Sequence, residues 1–148
     1  MITSEDIIKN PLFAELTINE VKKIKHLIFE KKCNKGATLF LEGMPGGVLY
    51  IIKSGQVDIL KKKDKEELLI TTLKRGDFVG EMSLIDDEPR SATARVKEAA
   101  VLLGLSKHGF QELISEIPEG ANKIMLFLIK ILIRRLRETN NKLVNKVD

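Results

Sequence analysis

Between residues 29 and 106 the sequence breaks into short runs of branched apolar residues punctuated by glycine, at Gly36, Gly43, Gly46-Gly47, Gly55, Gly76 and Gly80. Runs this short suit strands better than helices, and branched side chains pack well on a pleated surface. Val48 to Ile52 and Val57 to Leu60 flank Ser54-Gly55, which reads as a hairpin turn because glycine accepts positive φ at little steric cost. Leu68 to Leu73 leads to a second turn at Arg75-Gly76-Asp77. Ser91 to Val96 and Ala100 to Leu105 complete the series. Short strands at regular spacing predict a β-sandwich or barrel rather than a parallel α/β sheet.

Helical patterns bound this zone on both sides. Thr17-Ile18-Asn19-Glu20 has the spacing of a capping box, and Val21, Ile24, Leu27 and Ile28 follow on one apolar face. After the strands, Ser106 is placed to cap a short helix running through Ile114, and Pro118 suits the first turn of a longer one. Along that helix Met125, Ile129, Leu132, Leu136, Thr139 and Leu143 recur at spacings of four and three, a heptad seam for a second helix. Ile124, Phe127, Leu128 and Ile131 lie on other faces and are available to the barrel. The expectation is one domain over 1–148: N-terminal helices over 1–28, a β-roll over 29–106, and C-terminal helices over 107–148.

Composition narrows the function classes. A net charge of +4 is mild and its lysines and arginines are dispersed, which favours solvated faces over a nucleic-acid groove. Cys33 is the only cysteine, so an internal disulfide, a thiolate-rich zinc site and a cysteine-held iron–sulfur cluster are excluded. Met1-Ile2-Thr3-Ser4-Glu5-Asp6 lacks the basic and apolar blocks of a secretory signal. The longest apolar stretch, Ile124 to Ile133, is interrupted by Lys130 and is about half a membrane span. A cytoplasmic location with no membrane partner is expected. His26 and His108 have no nucleophile or metal-ligand partner at useful spacing, and Asp86-Asp87-Glu88 reads as three acids in a turn, so no enzyme is expected.

The segment from Gly76 to Ala94 carries the chemistry. Gly80 permits a close turn, and Glu81 to Leu84 can form a single helical turn whose free amides favour an anion. Nine residues beyond Glu81, Arg90 offers a planar fork of donors matched to phosphate oxygens, with the Ser91 hydroxyl beside it. An acceptor and a guanidinium at the two ends of one loop suit a sugar phosphate. The same two residues could equally close a surface loop as an ordinary ion pair.

Gly80-Glu81-Met82-Ser83-Leu84 followed by Arg90-Ser91-Ala92 resembles the phosphate-binding cassette of cyclic-nucleotide-binding domains, the module of bacterial catabolite activators and of cyclic-nucleotide-dependent kinases and channels. The run Leu39 to Leu60, with Gly43, Gly47, Tyr50 and Gly55, resembles that family's barrel signature. The resemblance implies an α+β, mainly β fold: N-terminal helices, an eight-stranded jelly roll with a short cassette helix inside 76–94, and a long C-terminal helix. It implies that Glu81 accepts the ribose 2′-hydroxyl near the Gly80 backbone. Arg90 and Ser91 would bind the cyclic phosphate, helped by amides near Met82 and Ser83 and by the Ala92 backbone. The run from Arg135 to Leu143 resembles the family's dimer helix, with Thr139 meeting the base and Asn140 standing where a partner-chain serine often reaches across. The implied ligand is cyclic AMP ahead of cyclic GMP, with no cofactor or metal, in a homodimer that acts on an unidentified protein effector. Family transcription factors continue into a winged helix-turn-helix, whereas this chain ends at Asp148, so direct DNA binding is not expected. The alternative is a structural dimerisation module whose pocket is degenerate or differently occupied.

Overall fold

The structure, a computed structural model, describes residues 2–146. Two short helices open the chain, α1 (Ser4–Ile8) and α2 (Ile18–Ile24). Each begins with a complete capping box, Thr3 with Asp6 and Thr17 with Glu20, which satisfies two amides that the first turn leaves free. Six strands follow: β1 (Ile28–Cys33), β2 (Thr38–Phe40), β3 (Val48–Lys63), β4 (Glu66–Leu73), β5 (Phe78–Val79) and β6 (Thr93–Ser106). Helices α3 (Lys107–Glu116) and α4 (Pro118–Lys146) close the described chain. Ser106 accepts from the Gly109 amide as the cap of α3, and Pro118 stands at the start of α4, both as their residue types predict.

The sheet is antiparallel throughout and is built on two long strands. β3 and β6 pair from Val48↔Ser106 to Leu60↔Thr93. One half of that ribbon is flanked by β1 on β6 and β5 on β3; the other is flanked by β2 on β6 and β4 on β3. The expected eight strands are therefore present as six, because β3 and β6 each pass through both halves of the roll.

Ser54-Gly55 accordingly is not a hairpin. β3 runs straight through it, the β3–β6 register shifts on either side, and Gly55 takes φ 85° at that bulge. Glycine serves a hairpin or a bulge equally well, and pairing with a strand some forty residues away decides between them. A side chain at Gly55 would collide with the Ala99–Ala100 backbone, so the bulge needs glycine for space as well as conformation.

Strand alternation distributes the core over two clusters. Leu49, Ile51, Leu103 and Leu105 face a helical layer made by Phe13, Val21, Ile24, Phe110, Leu113, Ala121 and Ile124. Their neighbours Tyr50, Ile52, Ala100 and Leu102 face the inside of the roll, with Val57, Ile59, Leu73, Ala94 and Val96. Val48 to Ile52 thus reads as a continuous apolar run because it is covered on both faces.

The apolar anchor of helix α4 lies in its first half. Ile124 and Leu128 are buried, and Phe127 and Ile131 pack beside them as their face predicts. Met125, expected in the heptad seam, packs against this core instead, while Leu126 is exposed. Of the residues expected in the seam, Ile129, Leu132, Leu136 and Leu143 are exposed. Among the described residues no helix is long and apolar enough to cross a membrane.

Candidate functional site

The cassette is built where β5 ends. Gly80 follows in the left-handed region, φ 90°, and turns the chain into a 3₁₀ turn over Glu81–Leu84, closed by the Ser83 amide donating to Gly80 O at 3.0 Å. Leu84 is buried in the helical core cluster, so the turn is pinned from below while Met82 and Ile85 stay exposed above. The loop then returns to Arg90, with Asp87 paired to Lys107 at the start of α3.

Arg90 is held by its backbone and buried by its side chain. Its N–H donates to Met44 O and its carbonyl accepts from the Gly43 amide, both at 2.8 Å. The guanidinium lies over the Phe40 ring, 4.0 Å from the centroid, and Nη2 donates to Val48 O at 2.9 Å. Nε and Nη1 are buried and have no hydrogen-bond partner among the described residues. Burial pushes this guanidinium below the ordinary arginine range, partly offset by Tyr50 and Glu81. Two buried, unpaired donors on a cation are costly unless an anion completes them.

Glu81 pairs with Arg135 of α4 and not with Arg90, so the loop is not closed by the simple ion pair that spacing alone allowed. Arg135 Nη1 donates to Glu81 Oε1 and its Nη2 to Phe78 O, both at 3.3 Å, with the guanidinium over the Phe78 ring. The second carboxylate oxygen of Glu81 has no partner in this pair.

Between the cassette, β4 and α4 lies an open cleft of about 480 Å³. The structure brings Gly80, Glu81, Met82, Ser83, Arg90, Ser91 and Ala92 into its wall, and Thr139 faces it from α4. Asn140 is exposed and is not part of the wall of its own chain. The Ser83 amide is consumed within the turn, which leaves Glu81 and Met82 as the amides free at its start. Sequence reasoning missed Phe40, Phe78, Arg135, Glu138 and Lys142 as wall residues. Arg135 carried a signal, since it stands four residues before Thr139 on the same helix face. Phe40 carried none, being fifty positions from the arginine it supports.

The family model described as cyclic nucleotide-binding domain matches residues 30–116, more than half of the chain. The chain belongs to that family. A cyclic nucleotide-binding domain of Methylobacillus flagellatus superposes with a TM-score of 0.84 at 28% identity, over 97% of this chain and 83% of that one. A CRP-like cAMP-activated global transcriptional regulator of Mycobacterium tuberculosis is 35% identical over 76% of this chain and 49% of its own length. A cAMP-dependent protein kinase regulatory subunit of Yarrowia lipolytica is 32% identical over 72% of this chain and 28% of its own length. This cyclic nucleotide-binding domain therefore spans less than half of each of these two curated relatives. Its roll of two four-stranded halves and its long terminal helix are the family's jelly roll with its C-terminal helix.

Proposed function

We propose that this chain is a non-enzymatic sensor in the cytoplasm, one domain over 1–148, that binds cyclic AMP in preference to cyclic GMP. The observation that carries the reading is Arg90: a buried cation stacked on Phe40, with two donors unpaired, on a residue that lines a cleft of about 480 Å³. A cyclic phosphate there would supply the missing acceptors as charge-assisted hydrogen bonds. Ser91 adds a hydroxyl and Ala92, Met82 and Gly80 add backbone groups from the same wall. The cyclic AMP named for two of the relatives supports the choice of base.

Glu81 links the ligand to α4. Arg135 occupies one of its oxygens, and the other is available to a ribose 2′-hydroxyl, so nucleotide and helix share one carboxylate. Thr139, which lines the cleft, then meets the base from the same helix, and Asn140, outside its own cleft, would approach the cleft of a second copy. The exposed seam from Ile129 to Leu143 is the surface on which two copies would pair. The output is a changed dimer seam read by a protein effector, and ligand shifts it only through tighter binding to the closed arrangement.

Tyr50 provides the test. It is the only tyrosine, the chain has no tryptophan, and its ring stacks 6.4 Å from Phe40 beneath Arg90. Tyrosine fluorescence is expected to change saturably with micromolar cyclic AMP and to respond weakly to 5′-AMP, whose open phosphate carries more charge and a different shape. Equal, non-saturating responses to both nucleotides would overturn the reading. Amide hydrogen exchange is expected to slow between 132 and 143 on nucleotide addition, and Arg135→Ala is expected to abolish that change while weakening binding about tenfold. Unchanged exchange in the wild type at saturation would break the proposed link to α4.

A further inference from the structure

Two consecutive peptide planes after Arg90 are each held at the carbonyl oxygen. The Arg90 carbonyl accepts from the Gly43 amide at 2.8 Å, and the Ser91 carbonyl accepts from Lys61 Nζ at 2.7 Å. A trans peptide is planar, with its N–H directed opposite its C=O. The Ser91 N–H is therefore turned away from Gly43 and the Ala92 N–H away from Lys61, and both residues line the cleft. Neither amide donates to another described backbone group.

The Lys61 ammonium is itself held. Glu42 Oε2 lies 3.9 Å from Nζ, while Glu42 Oε1 accepts from the Lys62 amide at 3.0 Å. The Glu42 amide donates to Oγ1 of Thr93, a buried residue at the start of β6, at 2.9 Å. β3, the loop after β2 and the first residue of β6 are thus tied together around the Ser91–Ala92 peptide.

We propose that Lys61, oriented by Glu42, is a positioning residue for the anion-binding end of the cleft: it does not touch the nucleotide but aims the Ala92 amide at it. The proposal rests on the cyclic-nucleotide reading of the cleft. It distinguishes itself from simple electrostatic attraction by sign. If Lys61 acted only as a nearby positive charge, removing the negative charge of Glu42 would strengthen anion binding. If Glu42 holds Lys61 in place, removing that charge weakens it.

The experiment titrates cyclic AMP into the whole chain as wild type, Lys61→Met, Lys61→Arg, Glu42→Gln and Lys63→Met. Lys61 has a side chain 54% exposed, so its replacement leaves the core intact. Lys63 is exposed on the same strand and controls for loss of one charge. Lys61→Met is expected to weaken binding about tenfold, Glu42→Gln about threefold, and Lys63→Met less than about twofold, with Lys61→Arg recovering most of the loss. The nitrogen–proton resonance of the Ala92 amide, which should shift on nucleotide addition in the wild type, is expected to shift less in Lys61→Met at saturation. Tighter binding by Glu42→Gln, equal losses in the Lys61 and Lys63 variants, or an unaltered Ala92 shift would overturn the positioning role. Failure of the wild type to bind any cyclic nucleotide would instead overturn the reading of the cleft itself, and the positioning role with it.

Discussion

Arg90→Leu is expected to lose nucleotide binding by at least about a hundredfold and, in the same protein, to raise the unfolding temperature of the free domain. The two effects share one cause. In the free protein the guanidinium has been taken out of water with Nε and Nη1 unpaired, and the Phe40 ring, Val48 O and the nearby Tyr50 and Glu81 offset only part of that loss. Replacing a poorly compensated buried charge by an apolar side chain is often neutral or stabilising, whereas removing it from a phosphate complex costs about 2–5 kcal/mol. A gain of about 1 kcal/mol in the free state corresponds to about 2–4 °C for a chain of this size. Saturating cyclic AMP should reverse the order, since ligand at about a hundred times its dissociation constant stabilises the wild type by about 2.7 kcal/mol and leaves the variant unmoved. Thermal melts with and without nucleotide check both arms. A variant that melts below the wild type in the absence of nucleotide would show that Arg90 is adequately satisfied by its own chain.

Gly80→Ala should damage both fold and site. At φ 90° any side chain is strained, and a Cβ at this position would stand 2.5 Å from Arg90 Nη1 and 2.6 Å from the Val48 carbonyl oxygen. The carbonyl belongs to Val48, paired with Ser106 in the β3–β6 ladder, so the guanidinium is the group that moves. A stability loss of about 1–3 kcal/mol is expected from the backbone alone. Displacing the Arg90 fork should weaken nucleotide binding by about a further hundredfold in the protein that remains folded. Denaturant unfolding measures the first effect and titration of the folded fraction the second. Wild-type affinity in Gly80→Ala would mean that Arg90 does not occupy this position when nucleotide is bound.

What could be read from the sequence was largely local. The capping box at Thr17, the cap at Ser106, the Pro118 start of α4 and the glycine-led turn at Gly80 each depend on residues a few positions apart, and all four are present. The errors arose where distant partners decide between locally equivalent outcomes. Ser54-Gly55 became a bulge because the same strand, β6, pairs on both sides of it. Met125 left the heptad seam because the helical core took it, a choice that periodicity cannot make when Leu126 is equally apolar. The cassette was legible as an ordered set of residues from Gly80 to Ala92. Its supports were not, because Phe40, Lys61 and Arg135 lie far from it in sequence and their types are common in strands and helices.

The central claim, that the buried end of the cleft is built for a cyclic phosphate, is tested most directly by calorimetric titration of cyclic AMP into the wild-type chain stripped of copurified nucleotide, with cyclic GMP run in parallel. The account predicts one saturable site per chain with a micromolar dissociation constant for cyclic AMP and a weaker one for cyclic GMP. A folded protein that takes up neither nucleotide would contradict it.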